Sequence, residues 1–240
     1  MTRVKICGIR SLEEALWAVE AGADALGFIL VPHSKRYIEP QKLRQITAHL
    51  PPFINKVGVF AGEPPNRVSE IIRYCFLDTI QFHGGEPVDH YRHIKAAKIK
   101  VISLDPQQIT SSNSGHPNNP RKNVASPNWE LLHTEASQGL VQGILLDSTV
   151  QGQSGGTGTP LPWKELHFKT ILAEIKKANI PFILAGGLHP ENVQEAIQIT
   201  QPYGVDVSSG VEREGRKDQE QITRFIHAAK TKASKPQSIR

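Results

Sequence analysis

Residues 182–207 read Phe182-Ile183-Leu184-Ala185-Gly186-Gly187-Leu188-His189-Pro190-Glu191-Asn192-Val193-Gln194-Glu195-Ala196-Ile197-Gln198-Ile199-Thr200-Gln201-Pro202-Tyr203-Gly204-Val205-Asp206-Val207. An apolar run, Phe182–Ala185, ends in a glycine pair. Val193, Ala196 and Ile197 then recur at helical spacing, and Pro190 sits at an N1-like opening position. A second apolar run, Gly204–Val207, follows at once. Strand, turn, helix and strand in so short a span make a βα unit that feeds a parallel neighbour.

The same unit repeats upstream. Further strand candidates are Val4–Ile6, Ala25–Leu30, Lys56–Phe60, Thr79–Phe82, Lys100–Ser103 and Gly143–Asp147. They are mostly apolar rather than alternating, as strands covered on both faces should be. Helical stripes lie between them: Leu12, Ala15, Leu16, Val19; Leu43, Ile46, Leu50; Val68, Ile71, Ile72, Cys75; a weaker Tyr91, Ile94, Lys98; and Leu166, Ile171, Ile175, Ala178, ended by Pro181. Ile222, Phe225, Ile226 and Ala229 mark a last helix. Ser11 and Glu14 fit a capping box ahead of the first. Eight such units in 240 residues predict a single (β/α)8 barrel, a TIM barrel with a parallel eight-stranded core, over 1–230. An open doubly wound sheet is the alternative. Residues 105–127, rich in Ser, Asn and Pro, read as a flexible insertion after strand five, and 231–240 as a basic, disordered tail.

Composition narrows the class. The chain has 38% hydrophobic and 21% charged residues and no run of about 18 apolar residues, so no membrane span is expected. Charges at Arg3 and Lys5 interrupt the N-terminus too early for a secretory leader. Two cysteines, Cys7 and Cys75, make neither a disulfide framework nor a zinc cluster, so a reducing, cytoplasmic setting is expected. Of the net charge of +5, Lys230, Lys232, Lys235 and Arg240 supply four, leaving the body of the chain near neutral. A nucleic-acid partner is therefore not expected.

In a barrel of this kind, chemistry sits just after the C-terminal ends of the strands. Strand one ends in Cys7, either a buried small hydrophobe or a thiol at the mouth. After strand two comes Arg36, a solvated loop charge or a fork for a carboxylate. After strand four comes His83, read as a brace for neighbouring backbone more than as a proton shuttle. Strand six ends in Asp147, a turn cap or a desolvated acid. Gly155-Gly156-Thr157-Gly158 suits a loop that closes over ligand. Gly186-Gly187 and Ser209-Gly210 end strands seven and eight, where this fold often binds phosphate. Two consecutive glycine-rich ends are stronger evidence than either alone, because backbone N–H groups can approach an anion there. Asn192, near the start of the next helix, reads as a surface residue. Together these features predict an enzyme for a small phosphorylated substrate, with a base at Cys7 and an acid at Asp147 facing each other across the mouth. The two groups need environments that move them in opposite directions.

Seven motifs in register resemble phosphoribosylanthranilate isomerase: Lys5-Ile6-Cys7-Gly8-Ile9, Ser34-Lys35-Arg36-Tyr37, Gln81-Phe82-His83-Gly84, Leu145-Leu146-Asp147-Ser148, Gly155-Gly156-Thr157-Gly158, Leu184-Ala185-Gly186-Gly187-Leu188 and Asp206-Val207-Ser208-Ser209-Gly210-Val211-Glu212. The resemblance implies an Amadori rearrangement in tryptophan biosynthesis, with no metal or organic cofactor. It implies Asp147 as general acid at the furanose oxygen and Cys7 as general base at C2′. It also implies Arg36 on the anthranilate carboxylate, Asp206 near the amino-sugar region, and Gly186, Gly187, Ser209 and Gly210 around the phosphate. A monomer is favoured, with a homodimer as the alternative. The family follows Gly-Gly-Thr-Gly with Phe-Asp-Trp, where this chain has Leu161-Pro162-Trp163. Related phosphate-binding barrels fit less well. A sugar-phosphate epimerase needs metal-binding His and Asp on its strands, a histidine-pathway isomerase an Asp in place of Cys7, and indole-glycerol-phosphate synthase a lysine there. A barrel that binds without turnover has no use for both Cys7 and Asp147.

Overall fold

The computed structural model describes residues 1–111, 127–150, 153–154 and 160–231. Eight parallel strands form a closed ring: β1 (Arg3–Cys7), β2 (Ala25–Ile29), β3 (Asn55–Phe60), β4 (Thr79–Phe82), β5 (Ala97–Leu104), β6 (Gly143–Val150), β7 (Phe182–Leu184) and β8 (Gly204–Val207). Each pairs with the next in sequence, and β8 closes onto β1 with Lys5 opposite Asp206. Closure leaves no edge strand in the ring, and the open-sheet alternative falls away.

The helices are α1 (Leu12–Glu20), α2 (Pro40–Thr47), α3 (Pro65–Tyr74), α4 (Pro106–Ser111), α5 (Trp129–Ser137), α6 (Leu166–Lys177), α7 (Val193–Thr200) and α8 (Gln219–Lys230). Four local expectations change. The Tyr91, Ile94, Lys98 stripe is a 3-10 turn, Val88–Tyr91, followed by β5; Lys98 belongs to the strand, and its ammonium donates to the carbonyls of Ile94 and Ala96. Pro190 lies in the turn before α7, which begins three residues later. Ser11 accepts from Glu14 N, but the Glu14 carboxylate reaches past the cap to Arg10 N at 2.6 Å. The 105–127 insertion opens as α4, which buries Ile109 in the core. Its remainder to residue 126, the glycines at 155–158 and the tail from 232 lie outside the described residues.

Two layers of side chains separate along each strand. Val4, Ile6, Ile80, Phe82, Ile144, Leu146, Val205 and Val207 join helix residues such as Ala15, Val68, Phe168 and Phe225 in one apolar cluster. Val57, Val59 and Leu145 are equally buried but lie outside that cluster, inside the ring. The strands are mostly apolar, as expected, but they also alternate between two faces. Their outward face packs on helices, and their inward face turns polar toward the C-terminal end: Lys5 and Cys7, Gln81 and His83, Asp147, Asp206. A two-residue period places these groups on one surface.

Candidate active site

The C-terminal mouth holds a cleft of about 260 Å³, lined among others by Cys7, Arg36, Gln81, His83, Asp147, Gly186, Gly187, Asp206, Ser209 and Gly210. All eight residues singled out from sequence for catalysis and binding meet there.

Cys7 ends β1 and is 6% exposed. A Cβ on Gly27 would stand 2.7 Å from its sulfur and 3.0 Å from Lys5 Cε, so a glycine on β2 makes room for both side chains. Gly8 turns the chain at φ +82°, and the stem of Arg36 crosses where its Cβ would be. Burial pushes the Cys7 thiol up, while Lys5 pulls against it. Asp147 is 8% exposed, and one of its oxygens accepts from Ser148 N at 2.8 Å. Burial, with the Asp206 carboxylate second, pushes it up to about 7. Thiol and carboxyl thus move in the same direction, not in the opposite ones expected, because desolvation disfavours both anions. An acid near 7 is well matched to proton donation at neutral pH.

His83 Nε2 faces Asp147 at 3.7 Å, too far for a hydrogen bond, and finds no partner among the described residues. The ring nitrogen is thus turned to the acid and not to backbone. Burial holds the imidazole below its usual range, hence neutral. The bracing role falls instead to Glu86, whose carboxylate accepts from Gly62 N and Gly84 N and ties the loops after β3 and β4 together.

Arg36 reaches the cleft with its guanidinium fork already engaged. Nε and Nη2 donate to the two Glu212 oxygens at 2.7 and 2.8 Å. Lys217, its side chain 1% exposed, donates to the same carboxylate at 2.7 Å and to Ser208 O at 2.9 Å. Burial opposes ionisation of Glu212, but the two cations bring it down to about 2. Glu212 and Lys217 pair across a short ribbon, Glu212–Arg213 with Arg216–Lys217, that follows β8. Sequence reading missed this triad. The Glu at the end of the last motif was its only signal, and its partners are 176 and 5 residues away. Asp206 lines the cleft, and its carboxylate lies 2.9 Å from Lys5 Nζ.

At the far wall, Gly186 and Gly187 take φ +78° and +64°. Their N–H groups have no hydrogen-bond partner among the described residues. Asn192 is not a plain surface residue: it accepts from His189 N and donates to Gly187 O, bracing this loop. A Cβ on Gly210 would come within 1.9 Å of Leu188 O, so only glycine lets the two loops close on each other. Among the described residues, no group of His, Cys, Asp and Glu is placed to hold a metal ion.

Comparison with known proteins agrees with this geometry. Residues 4–228 match the family described as N-(5'phosphoribosyl)anthranilate (PRA) isomerase. An N-(5'-phosphoribosyl)anthranilate isomerase from Desulfitobacterium hafniense is 52% identical, covering 96% of this chain and 98% of its own. The crystal structure of the isomerase from Thermotoga maritima is 37% identical, with a TM-score of 0.74 over 96% of this chain and 99% of its own. A further solved isomerase, 35% identical with a TM-score of 0.71 over 96% of this chain and 99% of its own, is in complex with reduced 1-(o-carboxyphenylamino)-1-deoxyribulose 5-phosphate. The chain belongs to the N-(5'-phosphoribosyl)anthranilate isomerase family of tryptophan biosynthesis.

Proposed function

We propose that Asp147 and Cys7 divide the two proton transfers by which N-(5-phosphoribosyl)anthranilate becomes 1-(2-carboxyphenylamino)-1-deoxyribulose 5-phosphate. Asp147 gives its proton to the furanose oxygen as the C1′–O bond breaks, and the anilino nitrogen supplies the electrons for a C1′=N bond. Cys7, as thiolate, takes the C2′ proton, and those electrons form the enolamine. Proton return at C1′ and loss from the 2′-hydroxyl give the ketone, so protons balance. The observation that carries this reading is a buried carboxyl near 7 on β6 and a buried thiol on β1, lining one cleft.

The rest of the cleft divides by charge. Gly186, Gly187, Ser209 and Gly210 hold the phosphate through backbone N–H groups. Arg36 offers the anthranilate carboxylate the guanidinium edge that Glu212 leaves free. Asp206, which lines the cleft and pairs with Lys5, stands by the amino-sugar region. A direct test follows the loss of substrate fluorescence in wild type, Cys7→Ala and Asp147→Asn, with the product identified chemically because the substrate also hydrolyses. Near-background rates in both folded variants support the assignment; a fully active variant removes that residue from its role.

Of the two oligomeric states, monomer and homodimer, we propose the homodimer. Phe53, just before β3, is fully exposed at φ +69° and borders a second cavity of about 400 Å³ at the N-terminal end of the barrel. A solved relative from Thermotoga maritima is described as a dimeric isomerase made monomeric. We place the contact between two copies at this floor, opposite the mouth. Among the described residues no helix is long and apolar enough to cross a membrane. The cytoplasm suits a free biosynthetic thiol enzyme.

A further inference from the structure

We infer that the Lys5–Asp206 ion pair acts as an oriented dipole at the floor of the cleft, its cationic end under Cys7 and its anionic end toward Asp147, so that the thiol serves as base and the carboxyl as acid. This rests on the roles proposed above for Cys7 and Asp147. Lys5 and Cys7 lie two apart on β1 and therefore point to the same side, and both flank Gly27. Asp206 is the β8 register partner of Lys5, 2.9 Å away. β8 lies on the arc of the ring that runs from β1 through β7 to β6, so the negative end is one strand nearer Asp147. Both charges are buried, at 4% and 7% exposure. Lys5 Nζ and Asp206 Oδ1 have no hydrogen-bond partner among the described residues, so no further polar group shields the pair at those atoms. A buried pair of this kind adds little to stability compared with an apolar pair of the same size.

The other charges near these groups do not reproduce the effect. Lys217 and Arg36 also act on Cys7, but Glu212 already neutralises them in part. His83, beside Asp147, is neutral. Lys5 is the strongest single charge acting on Cys7 and favours the thiolate, whereas Asp206 is the strongest acting on Asp147 and favours the protonated carboxyl.

The decisive variant is Lys5→Met combined with Asp206→Asn, which removes the dipole and leaves no unpaired buried charge. In a Cys75→Ala background Cys7 is the only thiol, and its titration is read from the rate of iodoacetamide alkylation against pH. Asp147 is read from the carboxyl carbon resonance, assigned by its loss in Asp147→Asn. The expected result is opposite motion. The thiol midpoint rises by about one unit, so alkylation at a fixed pH below it slows about tenfold, and the Asp147 midpoint falls by a similar amount. Midpoints that move together or stay put in the folded variant overturn the inference. Single variants give an independent reading: Lys5→Met raises both midpoints, Asp206→Asn lowers both, and Lys5→Arg restores the wild-type order. Failure of that pattern overturns it equally. Neither readout needs substrate. A wild type with the expected midpoints but no turnover refutes the isomerase roles, and normal turnover with unmoved midpoints refutes the dipole.

Discussion

Replacing Asp147 by Asn should stabilise the fold while abolishing activity, and the gain should grow with pH. The native state holds this proton more tightly than the unfolded chain, since burial raises the group from 3.8 to about 7. A carboxyl raised in the native state costs stability as pH rises from its unfolded value to its native one, and no further cost accrues above. At about 1.4 kcal/mol per tenfold, the full penalty is about 4 kcal/mol at pH 8. Water entry and local relaxation reduce this to about 2–4 kcal/mol. Asparagine keeps an oxygen for the Ser148 N–H and carries no charge. For a chain of this length, 2 kcal/mol is roughly 4–8 °C in Tm. Thermal melts of wild type and variant at pH 5 and pH 8 measure it. The gap at pH 5 should be less than half of that at pH 8, and kcat/KM should fall by about 10²–10⁴-fold. A gap that is constant with pH, or larger in acid, would refute the argument that the site stores a desolvated acid.

Glu212→Gln leaves Arg36 and Lys217 without their shared counter-ion. It should cost about 3 kcal/mol by denaturant midpoint and raise KM more than it lowers kcat. In wild type, Glu212 is depressed to about 2, so its contribution is present above about 4.5 and is lost as pH falls toward 2; acid titration of the variant should lack that phase. Gly210→Ala forces a Cβ onto Leu188 O, which should raise KM for the phosphorylated substrate at least about tenfold while inhibition by a phosphate-free product analogue is unchanged. Phe53→Ser should convert the proposed dimer to a monomer in sedimentation at micromolar concentration with kcat retained; a wild type that sediments as a monomer would remove the dimer, and a variant that sediments as a dimer would remove Phe53 from the contact.

The barrel and the strand-end residues were legible because each is a local pattern. Apolar runs, glycine-rich ends and helical stripes all fall within windows of about thirty residues, so β1 to β8 appear where the runs are, with Cys7 at the end of β1 and Gly186 and Gly210 just past β7 and β8, while β6 runs three residues beyond Asp147. What escaped depends on pairing across the ring. Lys5 looks like an ordinary charge in a strand until register places Asp206 opposite it. Arg36 looks like a free fork until Glu212, 176 residues on, takes two of its donors. The misread fourth helix has a local cause: Lys98 matched the helical stripe, but its ammonium caps the carbonyls of Ile94 and Ala96 from the following strand.

If Asp147 and Cys7 hold the roles proposed above, the upward displacement of both groups orders the reaction. With Asp147 near 7 and the Cys7 thiol raised by burial, the resting cleft readily supplies an acid but holds little thiolate. Ring opening needs only the acid, so it can proceed first. Its product carries a positive charge on the C1′=N bond, next to the C–H that Cys7 must attack. A cation arriving in a desolvated cleft favours the thiolate far more than it would in water. The proton lost by Asp147 also leaves a carboxylate that can accept one. On the proposed roles, the base is then generated as the ring opens, and premature thiolate, open to alkylation or oxidation, is kept scarce. On this account iodoacetamide should inactivate the resting enzyme slowly even at pH 8. Alkylation as fast as that of a free thiol at pH 8 would mean that the thiolate pre-exists, and the order argued here would be wrong.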